Sequence, residues 1–331
     1  MIASSTRRTF IQFAAVAAAG VPAFPRLVGA QNAPSSAASP LSMQASWVND
    51  AEFIGYFVAI DRGFYSSNGV KLTYLPGGPE IVSDTILLAK RANIALTTPD
   101  TTVSAIVKQS APFKIIGAQY QKSPLGVVSL KKNNINKPSD LVGKSLAVPP
   151  ANTITAEAML KINRVSPADV RIVPYQYDPT PLIRGEVDAT LDFVTNVPYT
   201  IKLQGEEPSS FLLYDFGFKI FNDTVVVLEE TLRSKRTALV SWLRASRAGW
   251  VENFRDPEKY PKAFAQSYFR GNGRTIDNEI YYNKAQKPLI EAPTGIFSMT
   301  EETIQENIDS LNRIGLAAKR DMFVTDLLQE I

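Results

Sequence analysis

The 331-residue chain contains no cysteine and no histidine. Without cysteine it forms no disulfide, offers no thiolate nucleophile, holds no iron–sulfur cluster and carries no lipid-attached cysteine. Without histidine it lacks the commonest general base and the commonest transition-metal ligand. Ser-His-Asp and Cys-His catalysis are therefore excluded, and only lysine- or carboxylate-based chemistry stays open. No metal or cofactor is expected from this inventory. An excess of one charge is also missing. Lys and Arg number 35 against 32 Asp and Glu, and Arg7, Arg8 and Arg26 account for the whole formal charge of +3. The remainder is balanced, so no nucleic-acid-binding face is expected. The apolar run over residues 13–24 is too short for a permanent membrane anchor.

What is present begins with a leader. Thr6-Arg7-Arg8-Thr9-Phe10-Ile11-Gln12 resembles a twin-arginine export motif, and an alanine-rich apolar run follows. Val28-Gly29-Ala30 supplies small residues ahead of a cut after Ala30. Pro22 and Pro25 break any longer helix there. Residues 1–30 are expected to be a cleaved signal peptide, residues 31–40 a flexible tether, and the compartment the periplasm.

The most informative stretch follows. Residues 41–48 alternate like a strand. Apolar Phe53, Phe57, Ile60 and Phe64 then recur at helical spacing, and Val70, Leu72 and Tyr74 alternate again. The first strand ends in Trp47, Asn49 and Asp50, at the edge where an open parallel sheet forms its ligand crevice. The ordered phrases Gly55-Tyr56-Phe57-Val58-Ala59, Gly63-Phe64-Tyr65 and Asn68-Gly69-Val70 resemble the start of solute-binding proteins of bacterial ABC importers. The branch is the one related to the thiamine-pyrimidine-precursor synthases, with aliphatic-sulfonate and riboflavin-type binders as relatives. Asp140-Leu141-Val142-Gly143-Lys144 and Leu182-Ile183-Arg184-Gly185-Glu186-Val187-Asp188-Ala189 are similar to phrases of the same superfamily.

Strand-like and helix-like segments alternate from residue 41 to about residue 228, and the remainder reads as mostly helical. Helices are expected over 80–91, 99–109, 153–163, 257–269, 276–285, 301–314 and 322–328. The resemblance implies an α/β, two-lobe periplasmic binding protein type II fold, each lobe a mixed sheet flanked by helices. Lobe one would comprise residues 41–125 and 220–331, and lobe two residues 126–219. Crossings near 121–129 and 212–223 would form the hinge.

In such a fold the crevice is lined by strand C-termini and helix N-termini. That selects Trp47, Asn49, Asp50, Gly77, Gly78, Thr98 and Asp100 from lobe one. Asn152, Thr153, Tyr177, Asp192, Phe193 and Asn196 come from lobe two, and Gln121 and Asn222 from the crossings. Trp47 suits stacking on a flat ring, with Tyr177 or Phe193 as the opposing plate; it equally suits the core at a strand end. Gly77-Gly78 permits close backbone approach to a ligand or forms a plain turn. Asn152 and Thr153 offer a helix N-terminus to an anionic head or cap that helix themselves. Asp192 suits an amine or ring N–H, or is simply an exposed or capping residue. Asp188 is accounted for by its structural phrase.

The resemblance implies a monomer that captures a small planar heteroaromatic or anionic solute, thiamine-precursor-like, flavin-like, sulfonate or aromatic acid, and delivers it to an ABC permease in the inner membrane. The pattern departs from the pyrimidine branch, which carries His where Phe53 stands and an acidic residue where Val197 follows Asn196. Synthase activity needs a His and a Cys-rich motif, and both are absent. The alternatives are a periplasmic sensor partner of a receptor kinase and a pyrimidine-metabolising enzyme of the same fold.

Overall fold

Two crossings of the chain divide the ten strands of the described residues between two sheets. The structure is a computed structural model that describes residues 38–331, so the expected signal peptide and its cleavage site lie outside the described residues. The first sheet takes β1 (Ser39–Gln44), β2 (Val70–Leu75), β3 (Ile94–Thr97), β4 (Phe113–Tyr120) and β10 (Asn222–Leu228). The second takes β5 (Leu125–Leu130), β6 (Ser145–Val148), β7 (Arg171–Pro174), β8 (Ala189–Phe193) and β9 (Pro208–Leu212).

Their orders are β2-β1-β3-β10-β4 and β7-β6-β8-β5-β9. In each, three parallel strands are followed by one antiparallel strand that enters straight after a crossing: β10 against β3, and β5 against β8. Ser39 and Pro40 already pair with Val70 and Lys71, so β1 includes the last two residues of the stretch expected to be tether.

Helices α1 (Ile54–Asp61), α2 (Phe64–Ser67), α3 (Ser83–Leu88) and α4 (Pro99–Gln109) connect the first strands. Helices α5 (Thr153–Ile162), α6 (Thr180–Ile183) and α7 (Val197–Leu203) serve the second sheet. The C-terminal third is α8 (Glu229–Ser234), α9 (Arg236–Arg255), α10 (Lys259–Phe264), α11 (Ile276–Ile290) and α12 (Glu301–Arg313). The helix expected over 322–328 is instead two short 3-10 turns, at Arg320–Met322 and Asp326–Glu330.

Helix α1 shows why this order matters. The apolar spacing predicts one buried face, yet Ile54 to Ala59 are all fully buried. Helix α9, almost two hundred residues later, covers the second face. The two meet backbone to backbone. A Cβ on Gly55 would lie 2.2 Å from a ring atom of Trp250, and one on Gly249 would lie 2.1 Å from the Gly55 carbonyl oxygen. Around this crossing Tyr56 stacks on Trp242 at 5.7 Å, and Phe57 on Tyr268 at 4.3 Å. The Gly-aromatic-aromatic phrase is thus a packing device for the core.

Candidate functional site

Parallel strands bring their C-terminal ends to one edge, and an antiparallel neighbour brings its N-terminal end there. In the first sheet that edge gathers the loop after Gln44, the turn after Thr97 and the start of β10 at Asn222-Asp223. In the second it gathers residues 149–155, 175–178 and 192–196. The two edges meet at Trp47, whose ring lies 5.2 Å from that of Tyr177. Tyr175 is the next ring, 5.8 Å from Tyr177, and its hydroxyl donates to Asp192 Oδ2 at 2.8 Å. Tyr177 is half exposed and holds a left-handed φ of 59°, a conformation costly for a bulky residue.

Beneath Trp47 lies a floor of buried carboxyls. Asp50 has no exposed surface, accepts from the Glu52 amide at 2.8 Å and is ion-paired with Arg274. Asp223, at a left-handed φ of 44°, accepts from Ser46 Oγ at 2.7 Å and from Gln119 Nε2 at 3.4 Å. The Glu52 and Asp223 carboxyls share a further hydrogen bond, and Tyr282 donates to Glu52 Oε2 at 2.9 Å. Glu279 accepts from the Ala51 amide and from Asn272, each at 2.7 Å.

Burial sets the protonation of these groups. It raises Glu52 well above the usual carboxylate range, helped by the charges of Asp223 and Asp50. It pushes Asp223 up to about 6, against hydrogen bonds from Glu52 and Ser46. Glu279 is carried to about 7 by burial and the nearby Asp50. Burial also raises Asp50, with Arg274 pulling it back down. Across the crevice, burial takes Asp192 up to about 6, against hydrogen bonds from Tyr175 and the Phe193 amide. Both carboxyls of this pair are thus biased toward the protonated form, Glu52 the more strongly.

Alongside, a groove of about 310 Å³ runs between α3 and α4 on one side and the start of α5 on the other. Asp84, Asp100 and Thr101 face Ala151, Ile154 and Thr155 across it. Burial pushes Asp84 up to about 6, against hydrogen bonds from Thr97 and Thr102.

The residues selected from sequence separate on this geometry. Trp47, Asp50, Tyr177 and Asp192 converge at the meeting of the two edges. Asn49 and Asn196 stand at the same edges, each with a buried side-chain oxygen that has no hydrogen-bond partner. Asp100 lines the groove. Thr98 precedes α4 and its hydroxyl pairs with that of Thr101 at 3.0 Å. Asn152 makes no side-chain cap to α5, and Thr153 Oγ1 donates to the Pro150 carbonyl at 3.0 Å.

Five others are committed elsewhere. Gly77 lies against its own chain, where a Cβ would come 2.4 Å from the Ala45 carbonyl oxygen, and Gly78 is buried beside Val48. Gln121 donates to the Ala118 carbonyl and accepts from Ser298. Phe193 packs on the apolar core rather than opposite Trp47. Asn222 is buried in the ladder beside Tyr120. Arg274, Asp223, Ser46, Glu52 and Tyr175 were not selected. Arg274 and Asp50 are 224 residues apart, and no local pattern marks that pairing.

The family model described as NMT1/THI5 like matches residues 50–260. The chain belongs to the NMT1/THI5-like family. This NMT1/THI5-like chain is 22% identical over 236 residues to the riboflavin-binding protein RibY of Chloroflexus aurantiacus, covering 69% of this chain and 67% of that one. It is 24% identical over 247 residues to the 4-amino-5-hydroxymethyl-2-methylpyrimidine phosphate synthase of Legionella pneumophila, covering 70% and 75%. Among solved structures it resembles the periplasmic aliphatic sulphonate-binding protein SsuA of Escherichia coli, with a TM-score of 0.66 and 13% identity over 88% of this chain and 97% of that one. The alkanesulfonate-binding protein SsuA of Xanthomonas axonopodis pv. citri, bound to MOPS, gives 0.63 and 13% over 87% and 98%. The fold is that of periplasmic binding proteins, two mixed five-stranded sheets flanked by helices. Among the described residues no helix is long and apolar enough to cross a membrane.

Proposed function

We propose that this protein is the exported, periplasmic solute-binding component of an ABC importer, and that it captures a small flat ring between Trp47 and Tyr177. The carrying observation is that ring pair, 5.2 Å apart and contributed by the two sheets. The ligand separates the two rings and stacks on both, which adds about 0.5–1.5 kcal/mol per aromatic contact beyond area burial. Contact with both halves favours the closed arrangement, which a permease reads as a composite surface. Asn49, Asp50, Thr98, Asp100, Asn152, Thr153, Asp192 and Asn196 surround that space, with the two sheets as lobes and the stretches 120–125 and 212–222 as hinge. The protein acts as a monomer and does no covalent chemistry. Two features support a binder over a synthase: the chain has neither Cys nor His, and one curated relative is named as a riboflavin-binding protein.

A thermal-shift screen of the chain from Gln31 against flavins, thiamine precursors, sulfonates, nucleobases and aromatic acids tests this. A true ligand at a hundredfold over its dissociation constant stabilises by about 2.7 kcal/mol. Trp47→Ala is expected to weaken that ligand by at least about tenfold. No stabilising solute, or a solute indifferent to Trp47→Ala, would defeat the proposal.

A further inference from the structure

Several polar groups around the crevice lean one way. Two hydroxyl donors are spent inward, on carboxylates. Ser46 gives its hydroxyl proton to Asp223, and Tyr175 gives its own to Asp192. What each hydroxyl has left is an acceptor lone pair. Gln119 is fully buried and points both amide hydrogens at the floor, to the Glu52 carbonyl at 2.7 Å and to Asp223 at 3.4 Å. Its Oε1 has no partner, and the buried oxygens of Asn49 and Asn196 have none either. The unpartnered hydroxyls of Tyr74 and Thr195 can rotate to accept.

Charge leans the same way. Asp192 and Asp223 form no ion pair among the described residues, and Arg274 is engaged by Asp50. Buried acceptors without donors are the exception in folded proteins, and each calls for an explanation. A ligand bearing N–H donors supplies one for those that stand at the crevice, Asn49 and Asn196.

We infer that the solute is a flat cation rich in N–H donors, of amidinium or guanidinium type, received by Asp192 on one side and by the Ser46–Asp223 pair on the other. This rests on the crevice being the solute site. It also sets the protein apart from the structural neighbours named for sulfonates, because an anion placed here would face Asp192 and Asp223, and the nearby Arg274 is already paired with Asp50. Cation-to-carboxylate hydrogen bonds are the strong ones, so the charge of a probe ring is expected to dominate its affinity.

Benzamidine, benzamide and benzoate share one ring and nearly one shape, and differ in charge and donors. Calorimetric titration of each into the full chain is expected to rank benzamidine first and benzoate last, at least about tenfold apart. Asp192→Asn keeps the shape of the side chain and is expected to cost benzamidine about tenfold while changing benzamide far less. A preference for benzoate that Trp47→Ala abolishes would overturn the inference and leave the crevice standing. Benzamidine binding indifferent to Asp192→Asn would overturn it as well. If none of the three binds in a Trp47-dependent way while a solute of the screen does, the inference is overturned and the solute site stands; if no solute of the screen binds either, both fall.

Discussion

Asp223 is the residue with the most at stake. It is buried at the start of β10 in a left-handed conformation, next to the Glu52 carboxyl, which burial raises well above the usual carboxylate range. Its folded-state value of about 6 exceeds the ordinary 3.8, as do those of Asp192 and Asp84. The folded protein therefore holds more protons than the unfolded chain at mildly acidic pH. The stability these groups contribute is complete below their unfolded values and is lost as pH rises through about 6. Exposed ion-paired carboxylates such as Glu258, held down at about 2 by Lys262 and Lys284, act in the opposite sense at lower pH. Comparison with Asp223→Asn isolates the effect. From about pH 5 to about pH 8 the variant is expected to gain on wild type in urea-unfolding free energy. A difference that stays constant or moves the other way would contradict the assigned protonation.

At this scale the sequence is legible where chemistry and strand end coincide. Asp192 lies at the end of β8, and Trp47, Asp50 and Tyr177 lie in the loops that follow β1 and β7. Asp223 and Arg274 were illegible because long-range closure, not a local pattern, delivers them to the site. Gly77 misled for a related reason: a glycine placed for close approach was approached by its own chain, at Ala45.

Among elements, the crossing of α1 and α9 is the least forgiving. The contact distances at Gly55 and Gly249 leave no room for a methyl group, and the neighbours are a ring and a backbone carbonyl rather than a flexible side-chain end. Gly55→Ala is expected to destabilise by about 2 kcal/mol or more, read as a lower urea midpoint with an unchanged slope. An unchanged midpoint would show that the helices separate without cost. The sequence marked α1 as a helix but assigned it one buried face, because nothing local announces that α9 arrives to cover the other. Strand assignments fared better, since alternation and turn residues are local signals. The short C-terminal turns were over-read as a helix, for apolar spacing over a few residues does not distinguish a 3-10 turn from an α-helix.

For the whole molecule, both sheets repeat one strand order, and the chain passes between them twice. A second aromatic contact joins the halves away from the carboxyl floor. Tyr199 on α7 lies 5.2 Å from Tyr281 on α11, with the Lys202 ammonium 5.5 Å from the Tyr281 ring. That contact exists only while the halves are together. Tyr281→Ala is expected to weaken ligand binding by about 1 kcal/mol, roughly fivefold, through faster release. An unaltered release rate would mean that Tyr199 and Tyr281 contribute nothing to closure. The two-sheet architecture was legible through the family phrases, but the contact of Tyr199 with Tyr281 was not, because the two meet only once the sheets are placed.

Intrinsic fluorescence tests capture between Trp47 and Tyr177 most directly. The chain has three tryptophans, and Trp242 and Trp250 are fully buried in the core around α9. Trp47 alone stands at the crevice. Titrating the strongest solute of the screen into the chain is expected to give a saturable change in tryptophan emission. Trp47→Phe should retain binding by calorimetry and lose that change. Binding with no change in wild-type emission, or a change that persists in Trp47→Phe, would contradict capture at this site.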